Sequence, residues 1–190
     1  MARTARLAFL FVVTGCISPS PPADMRWFRP ASSLESVTPP GDARDIGLRP
    51  VVSSAWIGER INWRRSEVEV GFYELDRWAE VPALYLERAF ERSLSRAGIR
   101  AHRRDFGEVV LETELLAFEE LRDRAPGAAA LVFELVLHGS QGVLLQRTFE
   151  VTEPLEAPGP EALALAMGEA LRRGADEAAA AVADALSASP

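Results

Sequence analysis

Leu131-Val-Phe-Glu-Leu-Val-Leu-His-Gly-Ser-Gln-Gly-Val-Leu-Leu-Gln-Arg-Thr-Phe-Glu-Val151 decides the fold class. Leu131, Phe133, Leu135 and Leu137 fall on one side of a two-residue period, and so do Val143, Leu145, Phe149 and Val151. That alternation is the signature of half-buried strands. His138-Gly139-Ser140-Gln141-Gly142 between them carries two glycines and reads as a hairpin loop. Upstream, Leu111, Thr113, Leu115 and Ala117 alternate with Glu112, Glu114, Leu116 and Phe118, which predicts a third strand. Val68, Val70 and Phe72 alternate with Glu67, Glu69 and Gly71, which predicts a fourth. Leu48–Ser54 is a short β-like run, and Arg60–Arg65 is a charged one expected at the edge of a sheet.

Two stretches change to the helical period. From about Glu80 to Ala97, Ala83, Leu86, Phe90, Leu94 and Ala97 form one apolar stripe at three- and four-residue spacing. Pro82 suits the first turn, where a missing N–H costs nothing, and Gly98 suits the left-handed position after the last turn. Trp78, Val81 and Tyr85 lie off the stripe. They pack under a neighbouring element or form a contact surface for another chain. The second helix runs from Pro160 to Leu186, with an inner stripe of Leu163, Met167, Ala170, Leu171, Gly174, Ala178, Ala181 and Ala185. At 1.5 Å per residue it spans about 40 Å, and its interspersed charges are those of a solvated helix rather than a membrane span. Strands and two long helices in this order make an α/β domain, a mixed β-sheet packed by two α-helices.

Composition narrows the function. Of 190 residues, 48% are apolar and 26% charged, the balance of a globular protein. All 21 basic residues are Arg, against 28 acidic ones, and the net charge of −7 argues against nucleic acid as a partner. One Cys and two His leave no disulfide pair and no Cys-rich metal site. No HExxH, CxxC or GxxxxGK[ST] occurs, so neither a cofactor nor a metal is called for. The candidate acid–base groups are His102, His138, Asp76 and the Glu112–Glu114 pair. Each reads more simply as part of a solvated face, and the chain is read as non-enzymatic.

The N-terminus is an address. Arg3 and Arg6 precede the short apolar run Leu7–Val13, and Thr14 and Gly15 then lead to Cys16, the only Cys in the chain. The apolar run is too short to cross a bilayer. Val13-Thr14-Gly15-Cys16 resembles a bacterial lipobox, in which the Cys thiol takes diacylglycerol, the peptide is cut before the Cys, and its amine is acylated. Three acyl chains, at about 0.8 kcal/mol per buried methylene, anchor a protein in effect permanently. Residues 1–15 are then signal peptide. Losing Arg3 and Arg6 leaves 19 of the 21 arginines against 28 acidic residues, a mature charge of −9. Ile17-Ser18 follows Cys16 where an Asp would retain a lipoprotein in the inner membrane. By that resemblance the destination is the outer membrane, periplasmic face, with the inner membrane as the alternative. Residues 16–45, rich in Pro, Ser and Gly, read as the lipidated Cys and a tether, with a flexible span of roughly 30 Å. Within it Met25-Arg26-Trp27-Phe28 reads as a short strand or a hook onto the domain of residues 46–190.

Glu59-Arg-Ile-Asn-Trp-Arg-Arg-Ser-Glu-Val-Glu-Val-Gly-Phe-Tyr-Glu-Leu-Asp-Arg-Trp-Ala-Glu-Val-Pro82 resembles the auxiliary lipoprotein component of ABC-type transporters. These lipoproteins accompany MCE-domain lipid transporters, including the paraquat-inducible system. The family shows an Arg-Ile strand, a turn, a second strand, then Arg-Trp, an acidic residue and a Pro that opens a helix. Here that last piece is Arg77-Trp78-Ala79-Glu80-Val81-Pro82, with Val81 inserted. The resemblance implies a fold similar to the N-terminal domain of TolB. It also implies a non-catalytic protein held to the membrane by Cys16, with an MCE-domain protein as partner; a homo-oligomer is left open. The alternative is a lipoprotein regulator of an envelope enzyme such as a peptidoglycan synthase, which shares lipobox, tether and a TolB-like domain. Arg60, Arg64, Arg65, Tyr73, Trp78 and Tyr85 are the candidate partner interface. Arg suits such a surface because its planar fork pairs carboxylates and stacks on rings.

Cys16→Ser should block acylation and cleavage. Mass spectrometry should find acyl mass on the wild-type mature protein only, and the variant should leave the membrane fraction. A wild-type protein without acyl mass, or a Ser variant that still pellets with membranes, would count against the lipobox.

Overall fold

The computed structural model describes residues 24–31, 37–103, 108–123 and 125–188. The signal peptide, Cys16 and Ser18–Pro22 lie outside these. The described residues form nine strands in one mixed sheet and two helices. Strands β7 (Val110–Leu121), β8 (Ala128–Gly139) and β9 (Gly142–Pro154) make an antiparallel meander. Leu115 lies opposite Phe133, which lies opposite Phe149, and the two Phe rings stack 5.1 Å apart. The β8–β9 turn closes where Gly139 faces Gly142, whose φ of +135° only glycine adopts readily.

The other edge of β7 is shared by three short strands, all parallel to it: β2 (Arg44–Leu48), β3 (Val52–Ser53) and β4 (Arg60–Arg64). Leu48 lies opposite Leu111, Ser53 opposite Leu115 and Asn62 opposite Glu119. Residues 44–64 are thus one strand, broken twice, laid along β7. Pro50, which has no N–H to give, falls in the first break. The sheet widens at both ends of this broken strand. At one end β6 (Ile99–Arg103) adds parallel to β2. At the other, β5 (Val70–Trp78) adds antiparallel to β4, and β1 (Arg26–Phe28) adds parallel to the last residues of β5.

This corrects one expectation: β4 is an interior strand between β5 and β7, not an edge. Its charge does not guard an open ladder. Arg64 reaches across to Glu119 on β7. Two bulges shift the expected faces. In β5, Arg77 faces Arg60 while Phe72 faces Asn62, so Tyr73–Asp76 all stand against Ile61. Ahead of this bulge Val68 and Val70 are not core; they are 91% and 48% exposed, and the strand turns inward only beyond it, at Asp76 and Trp78. In β7 the register slips between Leu115 and Ala117, which sends Phe118 rather than Ala117 into the core.

Helices α1 (Pro82–Arg96) and α2 (Pro160–Ala188) pack against each other and, with α2 over β8 and β9, cover one face of the sheet. Leu86, Phe90 and Leu94 are buried as the stripe requires, and Phe90 meets Phe133 edge to face at 5.3 Å. Gly98 takes φ +75° after α1. Gly174 lets α2 settle onto Phe133, Val151 and Leu131. At Gly168 a Cβ would overlap the backbone of Ala31, whose N–H donates to the Ala164 carbonyl at 3.0 Å. The chain around Phe28 is therefore strand first and strap second: β1 joins the sheet, then residues 29–31 cross α2.

Trp78, fully enclosed, meets Phe118 edge to face at 5.2 Å and joins β5 to β7 behind α1. Trp78→Ala should cost about 3–5 kcal/mol, the usual toll of emptying a Trp-sized core site. Urea denaturation should show a lower midpoint with an unchanged slope, and an unchanged midpoint would place Trp78 outside the core.

Candidate functional site

The candidate interface residues separate into two groups. Arg60, Arg64, Arg65 and Tyr73 meet at the β4–β5 end of the sheet. Trp78 and Tyr85 do not reach it. Trp78 is core, and the Tyr85 hydroxyl is buried beneath the start of α1, where it accepts the Glu80 N–H at 3.0 Å.

Strand alternation puts Arg60, Asn62 and Arg64 on one side of β4 and Ile61 and Trp63 on the other. On the first side the Arg60 guanidinium lies 4.4 Å above the Phe72 ring, and Phe72 leans on Trp56 at 4.7 Å. Asn62 donates to the Trp56 carbonyl at 3.3 Å, and Arg64 Nε donates to Glu119 at 2.6 Å. On the second side Trp63 lies flat over Gly71, where any Cβ would strike the indole. The Arg122 guanidinium sits 4.9 Å from the Trp63 ring and 4.4 Å from the Tyr73 ring. Glu120 Oε2 accepts from both the Tyr73 hydroxyl (2.7 Å) and Arg122 Nε (2.8 Å). Arg65 covers Trp63 at 5.5 Å and pairs with Glu69 at 2.7 Å.

Glu120 is buried, and these two donors satisfy its carboxylate. The partners show the same coupling. Burial pulls the Arg122 guanidinium down, but its hydrogen bonds to Glu120 and Tyr73 outweigh this and leave it raised. Burial first, then the hydrogen bond to Glu120, pushes the Tyr73 phenol up to about 12. The result is two clusters of rings and guanidiniums, one on each face of this end of the sheet, both suited to holding a partner surface by stacking and charge. Trp56, Trp63, Phe72, Glu120 and Arg122 belong to these clusters and were not singled out in the sequence. Trp63 stands inside the quoted Glu59–Pro82 stretch. Glu120 and Arg122 could be placed beside it only by knowing that β4 pairs with β7.

The acid–base candidates are scattered. His102 on β6 bonds Asp45 at 2.7 Å, and Arg100 reaches the same carboxylate at 3.2 Å. Together, His102 first, they lower the Asp45 pKa. Asp76 is tied to Arg26 across β1–β5 at 2.8 Å. Glu112 and Glu114 share the helix-free face of β7, as their spacing predicts. There Glu112 is paired to Arg49 and lies 3.4 Å from His138, while Glu114 faces Glu134. Among the described residues no group of His, Cys, Asp and Glu is arranged to hold a metal. Nor is any described helix long and apolar enough to cross a membrane.

Residues 30–179 match the family model of the ABC-type transport auxiliary lipoprotein component. The fold is similar to the crystal structure of protein XCC0632 from Xanthomonas campestris, with a TM-score of 0.73 at 22% identity over 85% of this chain and 97% of that one. It is also similar to the hypothetical protein CT253 from Chlamydia trachomatis, with a TM-score of 0.56 at 11% identity over 76% and 98%. No curated protein matches the sequence.

The chain's only two tyrosines give the geometry a spectroscopic test. Both phenols are raised above 10 in the fold, mainly by burial. A raised acid stabilises the fold in its neutral form; that contribution is complete below 10 and drains away as pH climbs toward about 12. Absorbance at 295 nm should therefore show one of the two phenols ionising only near pH 12 while the protein is folded. Tyr73→Phe should remove that late component. A Tyr73→Phe variant that keeps it, or a wild-type protein that lacks it, would contradict the Tyr73–Glu120 contact.

Proposed function

Because the chain belongs to the family of ABC-type transport auxiliary lipoprotein components, we propose that it is the membrane-anchored, non-catalytic partner of an ABC transporter that moves lipid across the cell envelope. The observation that carries this reading is the extent of the family match. It runs from Pro30 to Ala179, so it includes α1, about two-thirds of α2 and the whole sheet except β1. In this reading residues 1–15 direct export, Cys16 carries the lipid at the periplasmic face of the outer membrane, and residues 16–45 tether the domain of residues 46–190. Arg26 follows Cys16 by ten residues, so the domain stands within about 35 Å of its anchor, at 3.3–3.6 Å per extended residue. An MCE-domain protein spanning the periplasm is the partner.

The Arg-and-ring clusters that wrap the β4–β5 end, Arg60 on one face and Arg65 on the other, are the proposed docking surface. Arg60 and Arg65 are its reversible positions. Arg64 is not, because its partner Glu119 is only 7% exposed. Removing Arg64 would strand that charge at a cost of about 3–5 kcal/mol. The wild-type protein should co-purify with the MCE-domain protein encoded beside it. The double variant Arg60→Glu, Arg65→Glu should keep its circular dichroism spectrum and melting temperature and bind at least tenfold more weakly. Wild-type affinity in the variant would return both arginines to a purely structural role. Failure of the wild-type protein to retain any ABC or MCE component would overturn the functional reading itself.

A further inference from the structure

Seventeen of the 21 arginines lie among the described residues, and all but two have a partner there. Carboxylates hold most of them, carbonyl oxygens hold Arg44 and Arg77, and the rings of Phe72 and Phe149 hold Arg60 and Arg147. Arg29 and Arg92 alone among these have no hydrogen bond, ion pair or ring stacked beneath them. They line the same cleft, of about 280 Å³, between the strap, α1 and α2, together with Tyr85 and the paired Arg88 and Glu80.

The local charge is unbalanced for a physical reason. Arg88, Arg92 and Arg96 follow at four-residue spacing on α1, an arrangement that repels along the helix. The outer two are relieved. Arg88 donates to both carboxylate oxygens of Glu80, and Arg96 donates to Asp176 at 2.7 Å. Glu91, next to Arg92 in sequence, is taken by Arg103 at 2.7 Å. Arg172 and Glu169, which line the neighbouring pocket on the other side of Arg92, pair with each other. What remains is the pair Arg29 and Arg92, an excess of two positive charges in a protein of net charge −7. Burial, then the charges of Arg88 and Arg96, pulls the Arg92 guanidinium below its ordinary value. Arg cannot escape this by losing its proton at neutral pH.

We propose that this cleft binds a phosphate group between Arg29 and Arg92, beside the Arg88–Glu80 pair. Two unpaired guanidiniums arriving from two elements suit an anion with several oxygens and more than one charge better than a single carboxylate. The strap supplies one side of the site, so the segment next to the anchor is also part of the receptor. The phosphate has two sources, a phospholipid headgroup or a free oxyanion. The headgroup source alone rests on the envelope reading above. Arg29 is 13 residues from Cys16, which puts the cleft within about 45 Å of the bilayer surface by chain length.

The test is calorimetric titration of the full chain in a neutral maltoside detergent, with inorganic phosphate and with short-chain dihexanoyl phosphatidic acid as separate probes. Saturable binding of at least one probe is expected, weakened tenfold or more by Arg92→Gln and by Arg29→Gln. Arg29 is exposed on the strap, so its variant remains informative if the other is unstable. Arg92→Gln should melt no lower than wild type without ligand, since it relieves repulsion, and should lose the rise in melting temperature that the probe gives wild type. Tighter binding of the lipid probe assigns the site to a headgroup. Equal binding assigns it to a free oxyanion and leaves the phosphate site standing. No saturable binding of either probe, or equal binding by wild type and both variants, overturns the proposal. Neither result bears on whether the protein retains a transporter partner.

Discussion

β7 is hydrogen-bonded along both edges, and the rest of the molecule takes its position from that ladder. On one side β8 pairs with it from end to end; on the other, β2, β3 and β4 follow each other along it. A strand so placed can expose neither edge, and its side chains must serve two faces. Leu111, Leu115 and Phe118 go under the helices, while Glu112 and Glu114 go to the open face. The slip at Leu116 keeps the hydrophobic side inward as the strand continues into the acidic pair Glu119–Glu120. Those two carboxylates then fix what gathers around them, Arg64 on one side and Tyr73 with Arg122 on the other.

The middle strand of the meander, β8, and both helices were legible because each repeats one period without interruption, whereas a register shift at Leu137–His138 leaves Val143 exposed rather than on the inner face expected of it. Phe133 and Phe149 occupy the faces their spacing assigns, and α2 starts at Pro160 as its punctuation says. What local pattern could not show was partner choice. Residues 44–64 look like separate short strands, because nothing within them records that all three lie on the same neighbour. Arg60–Arg64 carries the composition of an edge strand, yet the charges are answered from β7, more than fifty residues away. The two bulges were hidden for opposite reasons. Leu115-Leu116-Ala117-Phe118 is apolar throughout, so a slipped phase leaves no mark, whereas Tyr73–Asp76 carries no alternation to show where the strand expands.

The site was legible to the same degree. Arg60, Arg64, Arg65 and Tyr73 were picked out because Arg and aromatic residues crowd one segment, and the fold gathers them at one end of the sheet but divides them between its two faces. Trp78 and Tyr85 carried the same composition but belong to the interior, where a large ring serves packing. Arg122 and Glu120 were missed because their importance comes from sitting beside Trp63, a contact made by tertiary pairing alone.

The strap has a mechanical consequence. For a domain held to a bilayer through Cys16, any pull on the anchor enters at β1. It passes from Arg26 and Phe28 into Asp76 and Trp78, and from Trp78 to Phe118 on the central strand. The first bonds to yield are the short β1–β5 ladder and the single Ala31–Ala164 hydrogen bond, while the two-edged ladder of β7 stays intact. Once they let go, the free chain would run from Cys16 to Arg44 instead of to Arg26. At full extension the leash would lengthen from about 35 Å to about 95 Å. The stretch that clamps α2 is therefore stored length, released by load before the body of the protein gives way.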